Sequence, residues 1–258
     1  MPAEAGLLET ALRAAIAGGE AAMQIYAAPF EVQHKDDKTP VTEADLASER
    51  VIVEMLSRAF PHIPIVSEET VPEAGFASPA ERFWLVDPLD GTREFVARNG
   101  EFAVLIGLVE HGRPMLGVVH GPAIGVTYTA HGPGTARRRL GQGAFEPINA
   151  RAPASEGIVV VHSRSHENSR RLAEYFEGRS ILERRKCGSA LKFGVIAAGD
   201  ADFYPRFGTT MEWDTAAGQA ILEAAGGHVF GPSGEPLGYG KPGLKNDGFL
   251  AWGARPMW

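Results

Sequence analysis

Trp84-Leu-Val-Asp-Pro-Leu-Asp-Gly-Thr92 is the stretch from which the fold can be read. Its apolar run, Phe83–Val86, predicts a buried strand, and Pro88, which has no N–H to donate, is expected to stop the ladder there. Asp87 and Asp90 then stand at a strand's carboxyl end beside the Thr92 hydroxyl, where open α/β sheets place their ligands. Two carboxylates held that close repel each other unless a positive group lies between them, and a hard divalent cation answers the need. Taken alone, the hexapeptide Asp87–Thr92 reads equally well as an Asp-rich turn that caps a helix.

Two further stretches repeat the pattern. Ile63-Pro-Ile-Val-Ser-Glu-Glu-Thr70 is a second short apolar strand ending in acids, Glu68 and Glu69. Glu212-Trp-Asp-Thr-Ala-Ala-Gly218 opens a helix with Asp214 in or near its first turn. An acid there is favoured by the helix dipole alone, but that explains one residue and leaves the other acidic strand ends unaccounted for. Glu68, Asp87, Asp90 and Asp214 form a set of oxygen donors without His or Cys, the kind that suits Mg²⁺.

Asp87-Pro-Leu-Asp-Gly-Thr92, Glu68-Glu69 and Trp213-Asp-Thr-Ala-Ala-Gly218 resemble the three signature motifs of the inositol monophosphatase superfamily. Within it the chain is most similar to the 3'(2'),5'-bisphosphate nucleotidase branch. The branch features are Pro40-Val-Thr-Glu-Ala-Asp45, Ser67-Glu-Glu69, Arg93-Glu-Phe-Val-Ala-Arg-Asn-Gly-Glu-Phe102, and Tyr204-Pro-Arg-Phe-Gly208 leading into Glu212-Trp-Asp214. Ser67 stands where the superfamily often has Gly, which fits this branch.

The resemblance implies a layered αβαβα sandwich, an α/β fold, with a metal site in the cleft between two halves of one compact unit. Residues 1–150 would carry most of the metal ligands, and residues 151–258 would carry Asp214 and the leaving-group pocket. It further implies a lithium-sensitive phosphomonoesterase using two or three Mg²⁺ ions. Such an enzyme would remove the 3'-phosphate of adenosine 3',5'-bisphosphate, a by-product of sulfur assimilation, by a metal-activated water. Glu68, Asp87 and the Leu89 carbonyl would hold one ion, and Asp87, Asp90 and Asp214 another. Gly91 and Thr92 would offer backbone N–H groups to the phosphate, while Thr92 and Asp45, with Glu68, would activate the water. Asp45 alone reads as a first-turn helix acid; its Pro-Val-Thr context favours the functional role.

For the rest of the nucleotide, the resemblance points to Ser189 and Lys192 in Gly188-Ser-Ala-Leu-Lys192, to Arg206, and to His166, with Lys35 and Lys38 able to close over it. A lone His in a polar turn and lysines in a charged loop are also ordinary solvated residues. Relatives acting on inositol, fructose or histidinol phosphates would share the metal ligands. A non-catalytic ligand sensor would have lost Thr92 or a metal carboxylate, and neither is missing.

Composition bounds the partners. A net charge of −7 argues against a nucleic-acid polymer, which wants a basic face. It does not exclude a small phosphorylated nucleotide, since bound cations reverse the local sign. The single cysteine, Cys187, cannot form an internal disulfide, reads as a packing residue, and suits a reducing cytoplasm. The N-terminal stretch lacks the basic region of a signal peptide, and no apolar run reaches membrane-spanning length. Oligomeric state, a homodimer included, is left open.

Residues 4–27 and, after Thr42, 43–59 predict helices; residues 103–111 and 114–120 predict a strand-turn-strand, with a third strand at 126–130. The Gly- and Arg-rich segment 131–139 reads as a solvated hairpin. After a linker at 151–157, strands are expected at 158–162, 181–184 and 201–204, and helices at about 167–178, 189–198 and 214–225.

Overall fold

A computed structural model describes residues 6–29, 32–34, 40–71, 80–164, 169–178 and 180–254. Chain order begins with α1 (Leu7–Tyr26), the paired β1 (Val32–His34) and β2 (Pro40–Thr42), and α2 (Glu43–Ala59). There follow β3 (Ile65–Ser67), β4 (Arg82–Asp90), the short α3 (Thr92–Val96), β5 (Ala103–Glu110), β6 (Arg113–Gly121), β7 (Val126–His131), β8 (Arg137–Leu140) and β9 (Glu146–Pro147). The second half holds β10 (Ile158–His162), α4 (Ser169–Tyr175), β11 (Ile181–Lys186), α5 (Leu191–Ala197), β12 (Phe203–Arg206), β13 (Thr210–Met211) and α6 (Ala216–Ala224). It closes with β14 (His228–Phe230), β15 (Lys245–Asn246) and β16 (Phe249–Trp252).

Strands β3 to β9 form one sheet in sequence order, parallel only between β3 and β4. A second sheet runs β11-β10-β12-β16-β14, and β13 pairs with β15. The side-chain period of two assigns the faces. On β4, Trp84 and Val86 join Val104, Ile106, Leu116 and Val118 against Leu7, Ala11 and Ala15 of α1 and Ile52 and Leu56 of α2. Phe83 and Leu85 point the other way, into the cluster that contains Phe193 and Ile196 of α5 and Ile221 and Leu222 of α6. The second sheet shares that cluster through Val159, Val161 and Tyr204. Its outer face, Val160, Phe203 and Trp252, packs with Phe176 beyond the end of α4. The layers are therefore αβαβα, and the chain is a mixed α/β fold, as the resemblance implied. Helices on both faces explain why Phe83–Val86 of β4 is a continuous apolar run rather than alternating.

Several elements differ from the sequence reading for physical reasons. Pro88 does not end β4: the ladder skips from Asp87 opposite Leu105 to Asp90 opposite Ala103, so the proline sits in an irregularity where no N–H is needed. Part of the Gly/Arg segment continues the first sheet as β8 instead of forming a free hairpin. α5 begins at Leu191, not at Ser189, because Ser189 has a left-handed backbone (φ 58°) that a right-handed helix cannot contain. α6 begins at Ala216, and α4 and the strands at 181 and 203 differ at their ends by a few residues. Met1–Ala5, Lys35, Lys38 and His166 lie outside the described residues.

Where α1 crosses β6, a Cβ at Gly19 would come within 2.8 Å of His120 Cδ2. The His120 Nδ1 lies 3.0 Å from Thr127 Oγ1. Burial, and secondarily the Arg139 cation, pushes the imidazole pKa down to about 4. The folded value is below the unfolded one, so its contribution is intact at neutral pH and is lost as pH falls from about 6.5 toward 4. The loss approaches roughly 3 kcal/mol at most, from 1.36 kcal/mol per pKa unit. Urea unfolding at pH 7 and pH 4.5 should show His120→Gln losing about 1–3 kcal/mol less than the parent over that interval. Equal losses would remove His120 as the source.

Candidate active site

The carboxyl end of β4 turns into α3 at the mouth of a cleft of about 240 Å³ between the two sheets. Asp87 shares the face of Phe83 and Leu85, which aims it at the α5/α6 layer. It is 2 % exposed, and its Oδ1 accepts the Leu89 N–H at 3.0 Å. Glu68 enters from the end of β3, held by its own N–H on Val86 O at 3.1 Å. Asp214 comes from the opposite layer, in a turn before α6 where its Oδ2 accepts the Met211 N–H at 2.8 Å. Glu68, Asp87 and Asp214 each place a carboxylate oxygen within 4.8 Å of the others.

These acids repel. Burial first, then Glu68, Asp90 and Asp214, pushes the Asp87 carboxyl well above the usual carboxylate range. Burial first, then Asp90 and Glu68, does the same to Asp214. Three carboxylates converging on one point, Asp87 buried and Glu68 and Asp214 half-buried, fit a hard divalent ion. Asp90, expected in this set, stands beside it. Its Oδ2 accepts Ser189 Oγ at 2.5 Å and also the Ala190 N–H, so only Oδ1 is left for an ion.

The predicted water-activating pair is brought together from separate elements. Thr42 caps α2 with Asp45 in a reciprocal capping box: Thr42 N–H and Oγ1 each donate to Asp45 Oδ2 at 2.8 Å. That leaves Asp45 Oδ1 facing Thr92 Oγ1 at 3.4 Å, and Thr92 Oγ1 is equally far from Leu89 O. Both distances are longer than a settled O–H···O bond, so the hydroxyl is not locked to either acceptor. Burial raises the Asp45 pKa. Ser48 of α2 donates to Pro88 O at 2.8 Å and ties the same helix to the β4 turn. Gly91 (φ 93°) is required at that turn, since a Cβ would also crowd Glu101 O at 3.3 Å.

On the leaving-group side, Ser189, Lys192 and Arg206 line the same cleft with Ser163, Tyr204, Phe193 and Phe249. Lys192 also meets the chain itself. Only 3 % exposed, it donates from Nζ to Cys187 O at 3.1 Å and Ser189 O at 2.5 Å, and lies 4.8 Å from the Tyr204 ring centre. Arg206 Nε is buried with no hydrogen-bond partner among the described residues. Cys187 packs against the core, and burial pushes its thiol up to about 11.

Three supports escaped the sequence reading. Glu101 accepts from Arg164 Nε and Nη2, at 2.5 and 2.7 Å, and from Gly188 N–H at 2.8 Å. Glu212, fully buried, accepts the N–H groups of Gly240 and Lys241 and pairs with Lys241 Nζ at 2.8 Å, fixing the turn that carries Asp214. Gly107 and Gly117, paired across β5 and β6, form a flat seat for α6. Glu101, whose partner Arg164 lies 63 residues on, and Glu212, whose partner Lys241 lies 29 on, carried no local signal, and neither did the glycines.

Residues 4–251 match the inositol monophosphatase family. The chain belongs to that family. Its members are metal-dependent phosphatases, in keeping with the acidic cluster. It is 43% identical over 236 residues to the 3'(2'),5'-bisphosphate nucleotidase CysQ of Escherichia coli O157:H7, covering 90% of this chain and 94% of the relative. The protein of that name from Buchnera aphidicola is 40% identical over 95% of this chain and 93% of its own length. Among solved structures, CysQ from Bacteroides thetaiotaomicron superposes with a TM-score of 0.81 at 34% identity, covering 96% and 97% of the two chains. An inositol monophosphatase from Anabaena gives 0.76 at 29% identity, covering 97% and 92%. Among the described residues, no helix is long and apolar enough to cross a membrane.

Proposed function

We propose that this chain hydrolyses the 3'-phosphate of adenosine 3',5'-bisphosphate to AMP and phosphate with Mg²⁺ as cofactor, in a cytoplasmic setting. The observation that carries the choice of substrate is one cleft lined both by the acidic cluster and by Arg206, whose Nε has no hydrogen-bond partner among the described residues. A substrate with two phosphates uses both features: one phosphate where cations gather, the other on a guanidinium suited to bidentate binding. An inositol monophosphate would leave the arginine idle.

Glu68, Asp87 and Asp214, with Oδ1 of Asp90 and the Leu89 carbonyl, are the residues that would hold Mg²⁺. Bound there, it supplies neutralisation of phosphoryl charge and a water acidic enough to attack at neutral pH. The protein's own part is positioning and proton handling. Gly91 and Thr92 bring backbone N–H groups to the cleft wall. The Thr92 hydroxyl, free to turn between Leu89 O and Asp45 Oδ1, passes a proton from the attacking water to Asp45, whose raised pKa makes it the better acceptor. Tyr204, Phe193 and Phe249 offer an aromatic floor for the nucleoside.

The deciding assay is phosphate release with Mg²⁺, with and without added Li⁺, from adenosine 3',5'-bisphosphate beside inositol 1-phosphate. Strong preference for the nucleotide, suppressed by Li⁺, is expected; preference for the inositol would keep the metal chemistry and reject the nucleotide pocket. Arg206→Ala should raise KM for the bisphosphate by roughly 10- to 100-fold, the worth of a charged hydrogen bond. KM for a small phosphomonoester should move less than about twofold, because uniform binding lost at a distal group does not touch the reacting phosphate. An equal rise for both substrates would take Arg206 out of the second-phosphate site.

A further inference from the structure

Lys192 sits at the leaving-group end of the cleft, yet its ammonium is engaged by the protein itself. Nζ has three donors, and they meet the carbonyls of Cys187 and Ser189 and the face of Tyr204. Burying an ammonium is costly, and an apolar side chain would fill the same volume more cheaply. What the cation holds is the turn Gly188–Ala190. Ser189 is left-handed there without being glycine, a conformation that needs outside support. Glu101 fixes the start of the turn at Gly188 N–H. Two donors of the turn then go to one atom, Asp90 Oδ2, which takes both Ser189 Oγ–H and Ala190 N–H.

We infer that Lys192 is a positioning residue for Asp90, acting through the Gly188–Ala190 turn and setting the Mg²⁺ affinity of the carboxylate cluster before any substrate arrives. Without the ammonium, Ser189 relaxes out of its left-handed conformation, both donors leave Oδ2, and Asp90 no longer presents Oδ1 in a fixed direction. Partners one step removed from a metal ligand typically change metal affinity by about 10- to 100-fold. The inference rests on the metal reading of the carboxylates and not on the choice of nucleotide, so a failed nucleotide assay does not reach it.

The test is calorimetric titration of Mg²⁺ into the metal-stripped full chain without substrate, for the parent, Lys192→Met, Ser189→Gly, Asp90→Asn, and Lys192→Met combined with Asp90→Asn. Lys192→Met should weaken Mg²⁺ binding by about tenfold or more. Ser189→Gly accepts the left-handed backbone and removes only the hydroxyl, so it should weaken binding by roughly threefold or more and serves if the lysine variant does not fold. In the Asp90→Asn background, adding Lys192→Met should change the Mg²⁺ Kd by less than about twofold, because the two act as one unit. Parent-like binding by both Lys192→Met and Ser189→Gly would overturn the inference. So would the same tenfold loss in the Asp90→Asn background, since it would mark a general structural effect. A parent that takes up no Mg²⁺ would overturn this inference together with the metal reading.

Discussion

Asp87→Asn is expected to abolish Mg²⁺-dependent phosphate release and, at the same time, to make the metal-free protein more stable. The two effects have one cause. Asp87 is buried on the β4 face that meets α6, and burial and three acidic neighbours hold its carboxyl well above the usual range. A group whose folded pKa is raised stabilises the fold while protonated. That contribution is fully present below the unfolded pKa of about 4 and lost as pH rises through the folded value. Metal-free protein should therefore lose stability as pH is raised from the acid range to neutrality, and Mg²⁺ should restore it by binding only the native state. Asparagine keeps an oxygen for the Leu89 N–H and removes the charge. In EDTA at pH 7 the variant's Tm should exceed the parent's by roughly 2–8 °C, taking about 1–2 kcal/mol at 2–4 °C per kcal/mol for a chain this long. Added Mg²⁺ should raise the parent's Tm and leave the variant's nearly unchanged. Turnover should fall by about 10³-fold or more, since positioning and charge neutralisation are most of what phosphoryl transfer asks of a protein. A parent-like response of Tm to Mg²⁺ would remove Asp87 from the ligand set.

What the sequence made legible was local. The apolar run into Asp87, the acids that end β3, the capping signal at Thr42 and the helical stripe of α1 each depend on neighbours within a turn or a strand, and each element formed where expected. The carboxylates converge because each already sat at the end of its own element. The misreadings arose where long-range partners override local rules. Pro88 continues β4 because β4 carries one residue more than β5 between Asp87 and Asp90, and the proline falls in that irregularity. Ser189 interrupts a helical pattern because Asp90, 99 residues away in sequence, claims its hydroxyl. Lys192 lines the cleft as read, but nothing in Gly188-Ser-Ala-Leu-Lys192 discloses that the chain also folds its own carbonyls onto the ammonium. Arg164 and Glu101 are 63 residues apart, and neither announces the other. Strands β13 to β16 are two to four residues long, too short to show a period, and draw their order from sheet pairing.

Gly117→Ala should be among the most damaging single substitutions in the chain, although it adds one methyl group far from the cleft's mouth. Gly107 and Gly117 face each other across β5 and β6, and the first turn of α6 rests on them. A Cβ at 117 would lie 2.2 Å from Ala217 O and 2.9 Å from its carbonyl carbon; one at 107 would lie 2.9 Å from Ala216 Cβ. The obstacle at 117 is helix backbone, which cannot rotate aside as a side chain could. The helix must move, and Asp214, two residues before it, moves with it away from Asp87 and Glu68. Overpacking of this kind costs about 1–3 kcal/mol where side chains can adjust, and more where they cannot. A loss of roughly 3–5 kcal/mol, or about 6–20 °C in Tm, is expected. Gly231→Ala is the control: its nearest neighbour would be Glu235 O at 3.7 Å, and it should cost no more than about 1 kcal/mol. At a temperature where Gly117→Ala is still folded by circular dichroism, its Mg²⁺ affinity should be lower by about tenfold or more, since one ligand has shifted relative to the others. Unchanged Tm would mean that α6 does not rest on this glycine pair. A lowered Tm with parent-like Mg²⁺ binding would mean that the turn at Asp214 takes its position from Glu212 and Lys241 alone and not from the helix behind it.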